Sequence, residues 1–301
     1  MIVSGMNKNV GFISLLSCGL MLACFGLLVR ILNQYIGVLT QAGGRMLVAT
    51  LIVLLYLFSK KISFKFKVDN KILFTTFILS FPLYIIFFTL SLTHIKAANA
   101  FFYLFASTML TSFIIGKAYF KENLHVSNLV AAVFLIAGLL FLSYPFNFKD
   151  GWIGILSGII GGILYGISNA TRKHYAAKIN LWLAMLYQIL AGTLISFTLS
   201  YFFKEYLINN LTITPLFYLF IFGLGLTLIQ LLLFAGFKNF PLNLGSIVLA
   251  SQLLFIEIVG IFFLKEIPTL MEMAGSAAIL IAVFVSNYRF KSLNLLTSRP
   301  N

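Results

Sequence analysis

The stretch at 251–266, SQLLFIEIVGIFFLKE, sets a single carboxylate, Glu257, deep in a run of Leu, Phe, Ile and Val. A second charge, Arg45, stands in QAGGRMLVAT, just ahead of another apolar run. In a bilayer, an ionised side chain near the midplane costs about 2.5–3.5 kcal/mol on insertion scales, so each must face the protein interior and find a partner. A carboxylate and a guanidinium in that setting could do two kinds of chemistry. Glu257 could take up and release a proton as a solute comes and goes. Alternatively, Arg45 and Glu257 could hold the carboxylate and the amine of a zwitterionic metabolite. A permanent salt bridge that fixes helix register fits the same residues. Gln188, Gln230 and Gln252 add amides inside apolar segments, and Asn99 adds one near a segment start. For each Gln, interhelical hydrogen bonding, averaging about 0.6 kcal/mol, competes with solute contact. Gln252 precedes Glu257 by five positions, about 500° of helix, so the two point about 140° apart and cannot both face one cavity squarely.

The segments that must position these groups are set by composition. Of 301 residues, 61% are hydrophobic and 9% charged, with a mean hydropathy of +1.04. A soluble domain carries roughly a quarter charged residues, so most of this surface must face lipid. A helix needs about 20 apolar residues to cross the hydrocarbon. Ten segments qualify: 10–29, 36–58, 72–92, 97–116, 126–143, 152–171, 181–203, 214–236, 243–264 and 270–287. Long, uniformly apolar runs exclude a β-barrel, whose strands alternate. The chain reads as an all-α integral membrane protein.

The formal charge of +14 is sorted by loop. Lys8, Lys60, Lys61, Lys65, Lys67, Lys71, Lys117, Lys121, Arg172, Lys173, Lys178, Lys238, Arg289, Lys291 and Arg299 fall to one side. Arg30, Arg45, Lys96, Lys149, Lys204 and Lys265 fall to the other. The richer side is cytoplasmic, which puts both termini there. The basic residues lack interleaved aromatics, so no nucleic acid is implied, and the cluster at 60–71 meets anionic lipid headgroups. Cys18 and Cys24 have no metal-ligand spacing. His94, His125 and His174 lie near loops, and no nucleophile motif or P-loop is present, so neither an enzyme nor an ATP-driven pump is expected. No cofactor is implied beyond a coupling proton. No cleavable signal peptide is evident.

A shift of 144 residues lays the fourth and fifth segments on the ninth and tenth. Ala106 meets Ala250, Ser107 meets Ser251, Gly116 meets Gly260, FKE at 120–122 meets LKE at 264–266, and Tyr144 meets Tyr288. Five spans per half is an odd number, so the second half enters the membrane upside down. Lys121–Glu122 and Lys265–Glu266 then lie at opposite faces. Inverted repeats enclose a midplane site in many secondary transporters. The units are 1–146, 147–288 and a cytoplasmic tail, 289–301.

With ten spans in a 5+5 inverted-topology repeat and a KE loop before the last span of each half, the chain resembles the drug/metabolite transporter superfamily, EamA-type. QAGGRMLVAT is similar to the family's pattern of an Arg followed by small and aliphatic residues, with Arg45 at the matching position. The resemblance implies a cavity lined by spans one to four and six to nine, with spans five and ten peripheral, where they could form a homodimer contact. It also implies export. Many relatives carry Pro in the middle of the fourth and ninth spans, where this chain reads FASTML and ASQLLF.

Two features could move. Gly154, Gly158, Gly162 and Gly166 form a stripe on the sixth span, suited to tight static packing or to sliding. Pro82 in LSFPLYI lacks the N–H that the helix needs, so a kink is expected there. The expectation is an inner-membrane secondary transporter of a small polar or amphipathic, amino-acid-like metabolite, exporting and proton-coupled. The rival reading is a non-transporting scaffold or accessory subunit.

Overall fold

Helix starts are written locally into this chain. Asn7, Asn70 and Asn180 each accept a hydrogen bond from a backbone N–H two or three residues on, which starts the helices that follow them. A computed structural model describes residues 7–64, 68–122, 126–142, 144, 151–176, 178–205, 213–249 and 251–287. The expected tail 289–301, and with it His125, Lys149, Ala250 and Tyr288, lies outside the described residues.

All regular structure among the described residues is helical. The helices are α1 (Lys8–Leu32), α2 (Val38–Ser59), α3 (Lys71–His94), α4 (Ala97–Ala118), α5 (Val126–Leu142), α6 (Trp152–Tyr175), α7 (Leu181–Phe202), α8 (Ile213–Asn239), α9 (Leu242–Val248), α10 (Ser251–Phe263) and α11 (Leu270–Asn287). Seven of them, α1 to α4 and α6 to α8, are long and apolar enough to cross a bilayer, and α5 and α11 are shorter apolar helices. Leu51, Leu55, Ile114, Val126, Leu129, Val133, Leu194 and Phe284 stand exposed along them, the surface a multi-pass membrane protein turns to lipid.

The expected ninth span differs from the sequence reading. It is two helices, α9 and α10, rather than one run over 243–264. Ser246 Oγ bonds back to the Leu242 carbonyl (3.0 Å) and reaches Ser112 Oγ (2.8 Å), a pattern that bends helices. The Gln252 N–H then bonds the carbonyl three residues back, at Leu249, instead of four (3.2 Å). The tightened turn lies between the end of α9 and the start of α10.

The helix pairings carry the repeat. α1 packs on α8 as α6 packs on α3; α2 packs on α7; α5 packs on α11; and α4 packs on α6 as α10 packs on α1. Exchanging the two halves maps each pairing onto another or onto itself. The same exchange maps four helix ends. Lys61, Lys121, Lys204 and Lys265 have φ of 51°, 52°, 50° and 56°, left-handed values that close helices α2, α4, α7 and α10. Lys61 and Lys204 are 143 residues apart, Lys121 and Lys265 are 144. The backbone therefore repeats more faithfully than the side chains do.

The glycine stripe on α6 is a packing surface. Ser91 Oγ donates to the Gly154 carbonyl (2.7 Å) and Thr108 Oγ1 to the Gly162 carbonyl (3.0 Å). A Cβ at Gly158 would lie 2.9 Å from the Tyr103 Cβ, and one at Gly166 2.7 Å from the Thr111 Cβ. At Gly162 it would run into the Leu104 carbonyl oxygen and lie 2.6 Å from the Ser107 Cβ. α3 runs as one helix through the buried Pro82.

Gly162→Ala is therefore expected to lower the unfolding temperature in detergent, at a cost of about 1–3 kcal/mol, because the α4 backbone must retreat. Gly260→Ala, whose new methyl would find its nearest neighbour 4.0 Å away, should leave that temperature unchanged or raise it.

Candidate functional site

Arg45 is positioned by the start of its helix. Glu205, just past the end of α7, accepts the N–H of Leu39 (3.0 Å) and of Thr40 (2.6 Å), anchoring the first turn of α2 with a charge that suits the helix dipole. Two turns further in, Arg45 is 4% exposed. Its Nη2 donates to Thr89 Oγ1 on α3, and its guanidinium lies over the Phe222 ring at 4.4 Å. Its Nε has no hydrogen-bond partner.

A second buried guanidinium was not expected. Arg172, assigned from sequence to a basic loop, is fully buried in the last turn of α6. Its Nη1 donates to Asn169 Oδ1 (2.6 Å) and its Nη2 to Gln230 Oε1 (2.8 Å). Phe234 and Phe81 flank it at 5.1 and 5.6 Å. The relay continues outward, Gln230 Nε2 to Gln188 Oε1 (3.3 Å) and Gln188 Nε2 to the Phe77 carbonyl (2.7 Å). Two expected amides are thus brought together, with Arg172 as the charge they serve. The signal lay in the polar positions Tyr165, Asn169 and Arg172, spaced at four and three along one helix face, while Lys173 and His174 point elsewhere.

Between the two arginines stands an aromatic pair. Tyr84 on α3 stacks on Tyr165 of α6 with ring centroids 4.4 Å apart, and Tyr84 lies within electrostatic reach of both guanidiniums. Along α3, Phe81 sits by Arg172 and Thr89 by Arg45, a separation of about 12 Å at helical rise.

The expected meeting of Arg45 and Glu257 does not occur. Glu257 is half-buried and accepts from Ser276 Oγ on α11 (2.8 Å), so it points toward the α5–α11 side. Because Gln252 and Glu257 diverge around α10, only one can turn inward. That one is Gln252, fully buried with neither side-chain polar atom partnered. Asn99 is also displaced from the centre. It donates to Glu272, which in turn takes Lys96 Nζ (2.6 Å) near the start of α11.

Both ends of the bundle are closed by matching ionic latches. At one end Glu122, following α4, pairs with Lys173 of α6 (2.6 Å) and accepts the N–H of Leu242 (2.9 Å) and Asn243 (3.1 Å) at the start of α9. At the other, Glu266, following α10, pairs with Arg30 of α1 (2.9 Å) and accepts the Ala97 N–H at the start of α4 (2.6 Å). Arg30 and Lys173 are 143 residues apart, Glu122 and Glu266 are 144. α4 runs from one latch to the other, 22 residues or about 33 Å. A groove of about 560 Å³ between α4 and α5, lined by Leu110, Phe113 and Leu129, opens on the flank and does not reach the arginines.

A sequence model of the EamA-like transporter family matches residues 9–144 and 152–288. A solved structure described only as "Crystal structure of protein" superposes with a TM-score of 0.71 at 13% identity, covering 93% of this chain and 98% of its own, a likeness of fold alone. No curated protein matches the sequence.

Gln230→Leu would strip Arg172 of one acceptor and Gln188 of its donor. The expected cost is about 1–3 kcal/mol, read as a lowered unfolding temperature in detergent. Adding Gln188→Leu should cost less than the sum of the two single changes, because the relay is already broken.

Proposed function

The chain belongs to the EamA-like transporter family, and we propose that it is a secondary transporter that moves a small polar or amphipathic metabolite by alternating access. The observation that carries this reading is the pair of equivalent latches, one at each end of a buried polar centre. Releasing Glu122 from Lys173 and α9 while Glu266 holds would expose the centre to one side. The reverse would expose it to the other. Because each latch joins the same kinds of element, the two states can lie close in free energy, which alternating access requires.

The finer reading follows from the charges. On a reading of ten crossings, with α9 and α10 together making the ninth, the Glu122 latch lies at the lysine-rich face. That face is cytoplasmic, and so are both termini, in the inner membrane of a bacterial cell. A discontinuous ninth span suits a midplane site, as in other inverted-repeat transporters. Export is the direction that the family resemblance implies. Glu257, half-buried against Ser276, is the proton-coupling candidate, and α5 with α11 offers the surface for a homodimer.

Glu257→Gln keeps an oxygen that can accept from Ser276, so it should fold as the wild type does. In proteoliposomes given an amino-acid and metabolite panel, wild-type uptake should be driven by an imposed pH gradient and the variant's should not. Equal, pH-independent uptake by both would make Glu257 structural; no uptake of any solute by the wild type would favour the scaffold reading.

Glu122→Gln and Glu266→Gln each weaken one latch. The expected result is opposite shifts in the solute affinity measured from the two sides of the membrane, each severalfold, with the fold retained. Identical effects from both variants would contradict two alternating gates.

A further inference from the structure

Each of the six described carboxylates has a partner away from the two buried arginines. Asp69 pairs with Lys178, Glu122 with Lys173, Glu266 with Arg30 and Glu272 with Lys96. Glu205 is spent on the start of α2, and Glu257 on Ser276. Among the described residues, then, no acid neutralises Arg45 or Arg172, although both are withdrawn from water. Their hydroxyl, amide and ring neighbours supply hydrogen bonds and π faces but no negative charge. In both, the Nε–H is buried and unpartnered, which leaves one donor of each planar fork free. A fork with a free donor beside a charged one is the geometry that takes carboxylate or phosphate oxygens.

We propose that the centre of the bundle is a binding site for an organic anion, whose acidic group is held by the Arg45 or the Arg172 guanidinium and whose body lies against Tyr84 and Tyr165 between them. This rests on the reading of that centre as the solute's route. It narrows the solute class to anions carrying a carboxylate or phosphate. The zwitterion expected from sequence required Glu257 opposite Arg45 to take an ammonium, and Glu257 is turned to α11. The flanking surface of Phe222, Phe81 and Phe234 suits a flat or apolar body rather than a heavily hydroxylated one.

The test uses the purified full-length chain in detergent and four probes of similar shape: benzoate, phenyl phosphate, benzamide and benzylamine. The expected result is saturable binding and thermal stabilisation by benzoate or phenyl phosphate, but not by the neutral amide or the amine. Arg45→Gln or Arg172→Gln, whichever removes the holding guanidinium, should weaken anion binding at least tenfold. Should either fail to fold, Arg45→Lys and Arg172→Lys keep the charge without the fork and should weaken binding by a smaller factor. Asp69→Asn, at the exposed Lys178 pair, should bind anions as the wild type does. Failure of both anions to bind, equal binding of benzamide or benzylamine, or undiminished affinity in the arginine variants would overturn the proposal. Uptake of neutral or cationic solutes without anion binding would overturn it and leave the transporter reading standing. Anion binding with no transport of any solute would do the opposite.

Discussion

A guanidinium withdrawn from water must be answered by something other than water, and this chain withdraws two. Arg45 and Arg172 are buried between helices of both halves, where a lost solvation shell is worth several kcal/mol per ion. Much of the interior is organised to make that tolerable. Thr89 and Phe222 serve Arg45, while Asn169, Gln230 and two Phe rings serve Arg172, with Gln188 behind Gln230. Those partners come from α3, α6, α7 and α8, so the arginines also tie the two halves to each other. The arrangement satisfies hydrogen-bond donors without cancelling charge, which is a different outcome from a buried salt bridge.

The acids are used where that economy would suggest, at helix ends. Glu122, Glu205 and Glu266 each sit just past one helix and accept backbone N–H groups at the start of another, where the dipole favours a carboxylate. Three of seven acidic residues therefore hold chain ends together across the repeat boundary. Such bonds are made or lost as units. Withdrawing the Glu122 end of α4 from α6 and α9 breaks two backbone bonds and an ion pair together, which favours two discrete arrangements over a continuum.

Much of the fold was legible in the sequence because span length and loop charge are one-dimensional quantities. The helix boundaries of α2, α3, α4, α6 and α7 fall within a few residues of the apolar runs, and KE at 121–122 and 265–266 foretold the two latches. The break between α9 and α10 was not legible. Beside it a serine hydroxyl, Ser246, reaches Ser112 of another helix, a contact no local pattern records. Arg172 was misread because a charge next to Lys173 and His174 looks like part of a loop, although one position along a helix is about 100° of rotation. Glu257 was read correctly as requiring a partner, but hydropathy does not say on which side of a helix that partner stands. Gln188 and Gln230 were named singly; that they touch each other and Arg172 is a property of three helices at once.

The repeat is close at the two latches and loose where it lines the centre. Lys61 and Lys204, Arg30 and Lys173, and Glu122 and Glu266 correspond across the halves. Inside, Arg45 corresponds at the same spacing of 143 to Gln188, and Arg172 to Val29, so one half supplies a charge where the other supplies an amide or an aliphatic group. A pseudo-two-fold axis through the middle would ask a bound solute to be symmetric too. Small metabolites are not, so under the proposed alternating-access reading a site between the halves has to break the symmetry that the helix ends keep. The divergence of the interior residues, set against the agreement of the latches, fits the proposed reading of one duplicated scaffold alternating around a single asymmetric solute.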